Sequence, residues 1–323
     1  MQLYLAPMEG ITTYFYRNLC HEMFPFIDKY FTPFIVTKTK TNFNWKELRD
    51  LAPENNQGLN LVPQVLTNNA EDFLVMIEAL EGLGYGEINL NLGCPSLTVV
   101  NKFRGSGFLA KPEELEQFLY ETMDGILKKN LKVRLSIKTR IGKDSTEEWE
   151  RLLEIYNRFQ LSELIVHPRT QKDYYNNTPH FDMYEKASRL SKNKLCYNGN
   201  IFTVEDYQKV REEIPDTQRI MLGRGIIANP ALAGEILGKC QLTLDLLREF
   251  NRRMLGIYQE IYSGDTHITQ RMKELWCYMV YMFDHHEKQK KQLLKAKDVQ
   301  QLQAAINCLF RECEFHPEKG YGG

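Results

Sequence analysis

Eight short apolar runs, each ending in small or polar residues and each leading into a helical pattern, constrain this chain more than any other feature. They are Leu3–Met8, Lys29–Phe34, Leu61–Leu66, Gly86–Gly93, Val133–Arg140, Glu163–Arg169, Lys194–Asn200 and Arg219–Gly225. Most are rich in Val, Ile, Leu or Tyr, the composition of strands buried on both faces of a parallel sheet. The segments between them carry helix-start chemistry. Asn68-Asn69 precedes Glu71 and Asp72, which suit the positive end of a helix dipole. Ser145 with Glu148 matches a capping box, Thr203 with Asp206 nearly does, and Pro112 sits where a first-turn proline is tolerated. Eight strand–helix units predict an α/β fold, a (β/α)8 TIM barrel rather than an open sheet.

The pattern changes near residue 240. Three helical stripes follow with no strand between them: Leu247, Phe250, Met254, Ile257 and Ile261; then Met272, Leu275, Trp276, Met279 and Phe283; then Leu302, Ala305, Ile306 and Leu309. The expected organisation is a barrel over 1–240 and a small helical bundle over 241–323, with residues 314–323 frayed. At 323 residues the chain exceeds the roughly 250–300 at which a single core stops growing. No uncharged apolar run approaches the roughly 18 residues that cross a bilayer. The start, Met1 to Pro7, has no basic leader and reads as a strand. Seven cysteines without a C-x-x-C pair suit a reducing compartment, so the expected location is the cytoplasm.

Net charge is −1, but unevenly placed. Residues 1–98 carry 6 basic and 11 acidic side chains, residues 99–143 carry 10 basic and 5 acidic, and His286–Lys297 holds five lysines against one glutamate. A solvated surface and a polyanion-binding face both fit, and charge alone does not choose between them.

A barrel of this kind works at the C-terminal ends of its strands. The candidates there are Pro7, Met8 and Glu9; Gln64; Asn89, Asn91 and Cys94; Lys138 and Arg140; His167 and Arg169; Asn198 and Asn200; Gly223 and Arg224. Polar groups inside apolar strands are costly unless paired, so their recurrence is informative. The glycines of Asn198-Gly199-Asn200 and Gly223-Arg224-Gly225 let backbone N–H groups approach an oxyanion, and the loops after the last two barrel strands commonly bind phosphate. Gly223 to Ala228 also spells G-x-G-x-x-A, but a dinucleotide fingerprint belongs after the first strand of its own unit, so the Rossmann reading is rejected. Lys138 has three readings: a structural lysine that needs a buried carboxylate, a cation beside a cofactor that becomes anionic on reduction, or a Schiff-base lysine. Cys94 stands on a strand-end loop, between Gly93 and Pro95, where a thiol could act as nucleophile or proton donor. The other six cysteines read as small buried hydrophobes. No metal is expected, since His285-His286-Glu287 is not a ligand spacing.

Taken in order, Ala6-Pro7-Met8-Glu9-Gly10, Asn91-Leu92-Gly93-Cys94-Pro95-Ser96, Ile137-Lys138-Thr139-Arg140, His167-Pro168-Arg169-Thr170, Asn198-Gly199-Asn200 and Gly223-Arg224-Gly225 resemble the FMN-dependent tRNA-dihydrouridine synthases of bacteria. The resemblance covers nearly the whole chain, and the Gly264-Asp265-Thr266 turn followed by Arg271-Met272-Lys273-Glu274-Leu275-Trp276 looks most like the subgroup that modifies one D-loop position. It implies bound FMN, NADPH as reductant, and hydride delivery to C6 of a flipped uracil with Cys94 protonating C5. By position, Pro7, Met8 and Glu9 would line the flavin and Gln64 would meet its pyrimidine edge. Lys138 would face the flavin N1/O2 side, and His167 would help hold the ring. Asn198, Gly199, Asn200, Gly223 and Arg224 would grip the phosphate. Asn91, Arg140, Arg169, Lys102 and Arg104 fall on the substrate side. The helical tail and the basic stretch would hold tRNA through phosphates and shape. The implied partner is tRNA, with no membrane, and the chain is expected to be a monomer. Pro168 stands where the family usually has glycine, which stiffens that loop. Four alternatives remain: a flavin barrel acting on a free pyrimidine, similar to dihydroorotate dehydrogenase; a synthase acting on ribosomal RNA; an RNA-binding protein without chemistry; and a Schiff-base aldolase built on Lys138.

Overall fold

The computed structural model of the chain describes residues 1–37 and 43–322. Ten strand segments are present: β1 Gln2–Leu5, β2 Lys29–Phe31, β3 Ile35–Val36, β4 Leu61–Val62, β5 Gln64–Leu66, β6 Glu87–Leu92, β7 Arg134–Gly142, β8 Glu163–Thr170, β9 Leu195–Tyr197 and β10 Arg219–Leu222. They pair in parallel in the order β3-β5-β6-β7-β8-β9-β10-β1-β2-β4. The two ends of that order meet. β2 pairs with β4 while β3 pairs with β5, and β4 and β5 are one strand interrupted at Pro63. β2 and β3 are likewise halves of one strand, parted by Thr32-Pro33-Phe34. Proline has no N–H to give a ladder, so both breaks fall where the chain lacks a donor. The result is an eight-staved TIM barrel, as the eight apolar runs predict. β3 is the one segment the runs do not include.

The helices are α1 Tyr14–Met23, α2 Trp45–Leu51, α3 Ala70–Gly82, α4 Leu97–Val100, α5 Pro112–Lys128, α6 Glu148–Tyr156, α7 Phe181–Leu190, α8 Val204–Glu213, α9 Arg224–Ala228, α10 Leu232–Ile236, α11 Leu244–Ile261, α12 Asp265–Met279, α13 Glu287–Lys295 and α14 Val299–Glu312. The start signals hold with one change. Asn69 caps α3, its Oδ1 accepting from Asp72 N at 2.8 Å, and Thr203 Oγ1 accepts from Asp206 N at 3.0 Å. At α6 the box is remade: the Glu148 carboxylate accepts from the backbone of Lys143, Asp144 and Ser145, while Ser145 Oγ meets Glu147 N. A carboxylate with three backbone donors does the work assigned to the serine.

Two compact units are present. The larger comprises Met1–Pro7, Asp28–Gly199 and Glu213–Met221; the smaller comprises Met8–Ile27, Asn200–Glu212 and 222–323. In the larger, Tyr4, Ala6, Phe31, Val62, Ile165, Cys196 and Met221 form one buried cluster at the barrel centre. On its outside, Phe73 of α3 stacks on Phe118 of α5 with ring centroids 5.8 Å apart.

The N-terminal ends of the staves are closed by charge. Lys29 Nζ lies 3.2 Å from a carboxylate oxygen of Glu87 and 3.2 Å from one of Glu163. Arg219 Nε lies 3.1 Å from Glu163, and the Tyr4 hydroxyl donates to Glu163 at 2.9 Å. Glu163 is 2% exposed. Burial raises its pKa, and Lys29 and the Tyr4 hydrogen bond oppose the shift.

In the smaller unit, Tyr16 and Phe24 of the α1 segment meet Phe250 of α11 at 5.9 and 6.4 Å. Trp276 of α12 donates from Nε1 to Asn251 Oδ1 at 2.9 Å and meets the Phe310 ring edge-on at 5.6 Å. The tail is not frayed. Phe315 bridges Phe283, His316 N donates to Met282 O at 2.7 Å, and Pro317–Lys319 forms a turn of 3-10 helix. Aromatic residues spaced for packing, Phe315 and Tyr321, fix this segment as far as residue 322, the last one described there.

Breaking a buried ion pair leaves a charge uncompensated. Glu163→Ala is therefore expected to lower unfolding free energy by about 3 kcal/mol, read from urea denaturation of the purified protein.

Candidate active site

Strand parity places one row of polar side chains on the face opposite the helices. In register, Gln64 pairs with Asn89, Asn89 with Ser136, Asn91 with Lys138, and Arg140 with His167. The amides bond to one another. Gln64 Nε2 donates to Asn89 Oδ1 at 2.8 Å, Asn89 Nδ2 to Ser136 Oγ at 2.9 Å, and Asn91 Nδ2 to Gln64 Oε1 at 2.7 Å. Gln64, Asn89 and Ser136 are fully buried, which such groups tolerate only because they are paired. Ser136 and Thr32, whose Oγ1 accepts from Gln64 N, belong to this network and were not singled out from sequence. Ser136 lies two residues before Lys138, and the period of two along a strand is the signal that finds it.

This network reaches the cysteine. Asn91 Oδ1 accepts from both Gly93 N and Cys94 N, at 3.0 and 2.9 Å. Cys94 O in turn accepts from Ser106 N and Ser106 Oγ. Gly105 has φ +54, and a Cβ there would stand 2.8 Å from Cys94 O, so the loop returns this close only with glycine. Cys94 itself is partly exposed. Between the two contacts run α4 and the Asn101–Arg104 turn. Lys102 is exposed, its carbonyl accepting from Asn68 Nδ2, and Arg104 Nε donates to Asn68 Oδ1.

Lys138 is partly buried and, among the described residues, has no carboxylate, carbonyl or hydroxyl partner. Burial, then Arg140, pushes its pKa down to about 8, with Cys196 and Cys94 acting the other way. The structural reading of Lys138 required a buried carboxylate, and among the described residues none meets it.

Arg140 is fully buried and spends its nitrogens on the chain: Nε on Gly93 O at 3.0 Å, Nη1 on Thr170 O at 2.6 Å, Nη2 on Tyr174 O at 2.8 Å. It joins the cysteine loop to the loop after β8. That second loop is organised by Asp173, which accepts from Thr170 N and Oγ1 and from Asn177 Nδ2, and whose pKa these bonds hold down against its burial. Arg169 Nε donates to Asn177 O at 2.6 Å, and its Nη1 lies 3.0 Å from His167 Nε2. Tyr175, absent from the sequence candidates, sets its ring 6.0 Å from His167 and 5.4 Å from the Arg140 guanidinium. Pro168 falls beside the shift in β7–β8 register between Arg140 and Gly142, so its missing donor costs the ladder little. Asn198 Nδ2 donates to Met221 O, and Gly199 lies so close to Tyr197 that a Cβ would stand 2.0 Å from the phenol oxygen.

Pro7 ends the first segment of the larger unit, and Met8, Glu9, Asn200, Gly223 and Arg224 lie in the smaller one. Met8 N donates to Thr12 Oγ1 and Glu9 is exposed. Gly223 precedes α9, and the first residue of that helix, Arg224, donates from Nη2 to Asn200 Oδ1 at 2.9 Å.

A family model described as Dihydrouridine synthase (Dus) matches residues 4–314. The chain belongs to the dihydrouridine synthase family. A relative from Pseudomonas putida named tRNA-dihydrouridine(16) synthase is 31% identical over 243 residues, 73% of each chain. One from Staphylococcus epidermidis named Probable tRNA-dihydrouridine synthase is 26% identical over 270 residues, 77% of this chain and 78% of the relative. Among solved structures, morphinone reductase superposes with a TM-score of 0.54 at 12% identity, over 75% of this chain and 87% of its own. Histamine dehydrogenase from Rhizobium sp. 4-9 does so with 0.56 at 11% identity, over 84% and 51%. Identity this low shows a shared barrel fold and nothing further. Among the described residues of this dihydrouridine synthase family member, no helix is long and apolar enough to cross a membrane, and no cluster of His, Cys, Asp and Glu could hold a metal ion.

The lowered pKa of Lys138 has a measurable sign. Unfolded, the lysine titrates near 10.5; folded, near 8, so the folded state loses its proton first and stability rises with pH across that window. Below pH 8 the full penalty remains. Lys138→Met is expected to stabilise the cofactor-free protein at pH 7 by about 1–3 kcal/mol, and its advantage over the wild type should shrink steadily between pH 8 and 10.5, followed by urea midpoints at each pH.

Proposed function

We propose that the chain binds FMN, takes electrons from NADPH, and reduces one uridine of the tRNA D-loop to 5,6-dihydrouridine. The observation that carries this reading is Lys138, a partly buried cation without an anionic partner in a barrel of this family. When bound, the reduced flavin supplies the hydride that C6 of the uracil receives, and NADPH supplies the electrons that restore it.

The residues fit that cofactor. Lys138 places positive charge where the N1/O2 side becomes anionic on reduction. Gln64 has an amide hydrogen left after its bond to Asn89, suited to the pyrimidine edge. Pro7, Met8 and Glu9 are assigned to the flavin lining and His167 to holding the ring. Asn198, Gly199, Asn200, Gly223 and Arg224 are assigned to the phosphate, glycines for close backbone approach and Arg224 for a charge-assisted pair.

Cys94 is the acid. Its thiol gives a proton to C5 as C6 is reduced, and the thiolate recovers a proton from solvent. Its backbone is held at both N and O, so the sulfur is delivered from a fixed loop. Asn91 and Arg140 are assigned differently from the substrate contacts the resemblance implies. The Asn91 amide is committed to Gln64, Gly93 and Cys94, and the Arg140 guanidinium to three carbonyls. Both position the cysteine loop. Arg169 and the Lys102/Arg104 turn keep their assignment to the uracil and its flanking phosphates.

Residues 1–240 form the catalytic domain and 241–323 the tRNA-recognition domain in this reading, with the lysines of α13 meeting phosphate. The relative named for position 16 supports a single D-loop site. The chain acts as a cytoplasmic monomer, since neither step needs a second copy.

Cys94→Ala is expected to keep flavin reduction by NADPH while losing dihydrouridine formation by at least 100-fold, in line with general acid catalysis. Mass spectrometry of unmodified tRNA incubated with the FMN-loaded protein and NADPH checks the whole reading. One D-loop uridine heavier by two hydrogens is the expected result. Product on free uracil with no effect of RNA would instead establish the small-pyrimidine alternative.

A further inference from the structure

The last described residues end against Arg224. After α14 the chain crosses Phe283 through the Phe315 bridge, and Lys319 pairs with Asp284. Gly320 then turns the chain with φ +60, and a Cβ there would lie 2.5 Å from Phe202 O. Only glycine allows the tail this approach. Tyr321 follows, its ring edge-on to Phe202 at 5.5 Å and packed against Tyr278 and Tyr281, each at 5.1 Å.

The Arg224 guanidinium lies 5.1 Å from the Phe202 ring centre and 5.5 Å from that of Tyr321, with Nη2 bonded to Asn200 Oδ1. Two aromatic rings and one amide thus hold a side chain that otherwise samples many rotamers. An arginine pairs with an oxyanion through the in-plane edge of its fork, and ring contacts do not use up those N–H donors.

We infer that Tyr321 is a positioning residue for the cofactor phosphate: the tail closes over Arg224 and holds its guanidinium ready for the oxyanion. This rests on the assignment of Arg224 to the FMN phosphate. Tyr321 itself touches no reacting atom. Its contribution is to fix in the free protein the arginine orientation that binding requires, which raises affinity by lowering the ordering cost.

The test is flavin affinity of the full chain stripped of cofactor, measured by flavin fluorescence with FMN and with riboflavin, which lacks the phosphate. Arg224→Ala is expected to weaken FMN about 10–100-fold. Tyr321→Ala should weaken it about 3–10-fold, Tyr321→Leu should do the same while keeping apolar bulk, and Tyr321→Phe should stay within about twofold. None of these should change riboflavin affinity. The double variant Arg224→Ala/Tyr321→Ala should bind FMN no more weakly than Arg224→Ala alone, because the second change acts through the first. Multiplied losses in the double variant, or an equal loss of riboflavin, would show that Tyr321 acts on the fold and overturn the inference. Normal FMN affinity in Tyr321→Ala and Tyr321→Leu beside an impaired Arg224→Ala would overturn it while leaving the phosphate assignment intact. Normal affinity in Arg224→Ala would remove both.

Discussion

Lys29 stands between two buried carboxylates and pairs with both. Glu87 and Glu163 come from staves far apart in sequence, and both are nearly inaccessible to water. This closure anchors the staves at the end opposite the polar rows. With the N-terminal ends sealed by an ionic layer, the staves keep a fixed register, and inward-facing residues at successive positions stack as layers. Above the charges lie the amides of Gln64 and Asn89, then Asn91 and Lys138, then Arg140 and His167. Each layer is polar, and among the described residues Lys138 is the member without a carboxylate, carbonyl or hydroxyl partner.

That exception gives the site its direction. A buried polar network is stable when every member is paired, and a cation within it that lacks an anionic partner carries a desolvation cost. The neighbouring amides make the cost bearable by holding the surroundings rigid. The same amides reach outward: Gln64 bonds Asn91, which bonds the backbone at Gly93 and Cys94. Gln64 and the Cys94 loop therefore share one hydrogen-bonded frame, and Arg140 ties the loop after β8 into it.

Much of this was legible in the sequence, for identifiable reasons. The eight staves announce themselves because parallel strands buried on both faces must be apolar throughout. The strand-end polar residues stand out against that background, and Cys94 and Lys138 were conspicuous for the same reason. What escaped has physical causes too. Ile35–Val36 lies beyond Pro33, which breaks the apolar run without breaking the stave. α13 has four lysines and little apolar stripe, so charge masked the helix. The Lys29–Glu163 contact joins residues 134 apart and has no local signature. The resemblance put Arg140 on the substrate side; its bonds to three carbonyls, which tie two loops together, have no sequence signature. The tail looked frayed because its anchors, Phe315, Gly320 and Tyr321, act through contacts with residues 30 to 120 positions earlier.

The ionic layer also bears on the order in which the chain assembles. Lys29 and Glu87 are available early in synthesis, but Glu163 arrives later and Arg219 later still, with β10 closing the ring against β1. Until that last stave docks, Glu163 has only part of its neutralisation. Contacts of such long sequence separation slow folding, because loop-closure entropy is lost before the contacts form. A nascent half-barrel from this chain thus has an exposed strand edge and an underpaired carboxylate together. The charge keeps that edge soluble while it waits, so the residue that makes the finished floor costly to break also protects the unfinished one from pairing wrongly.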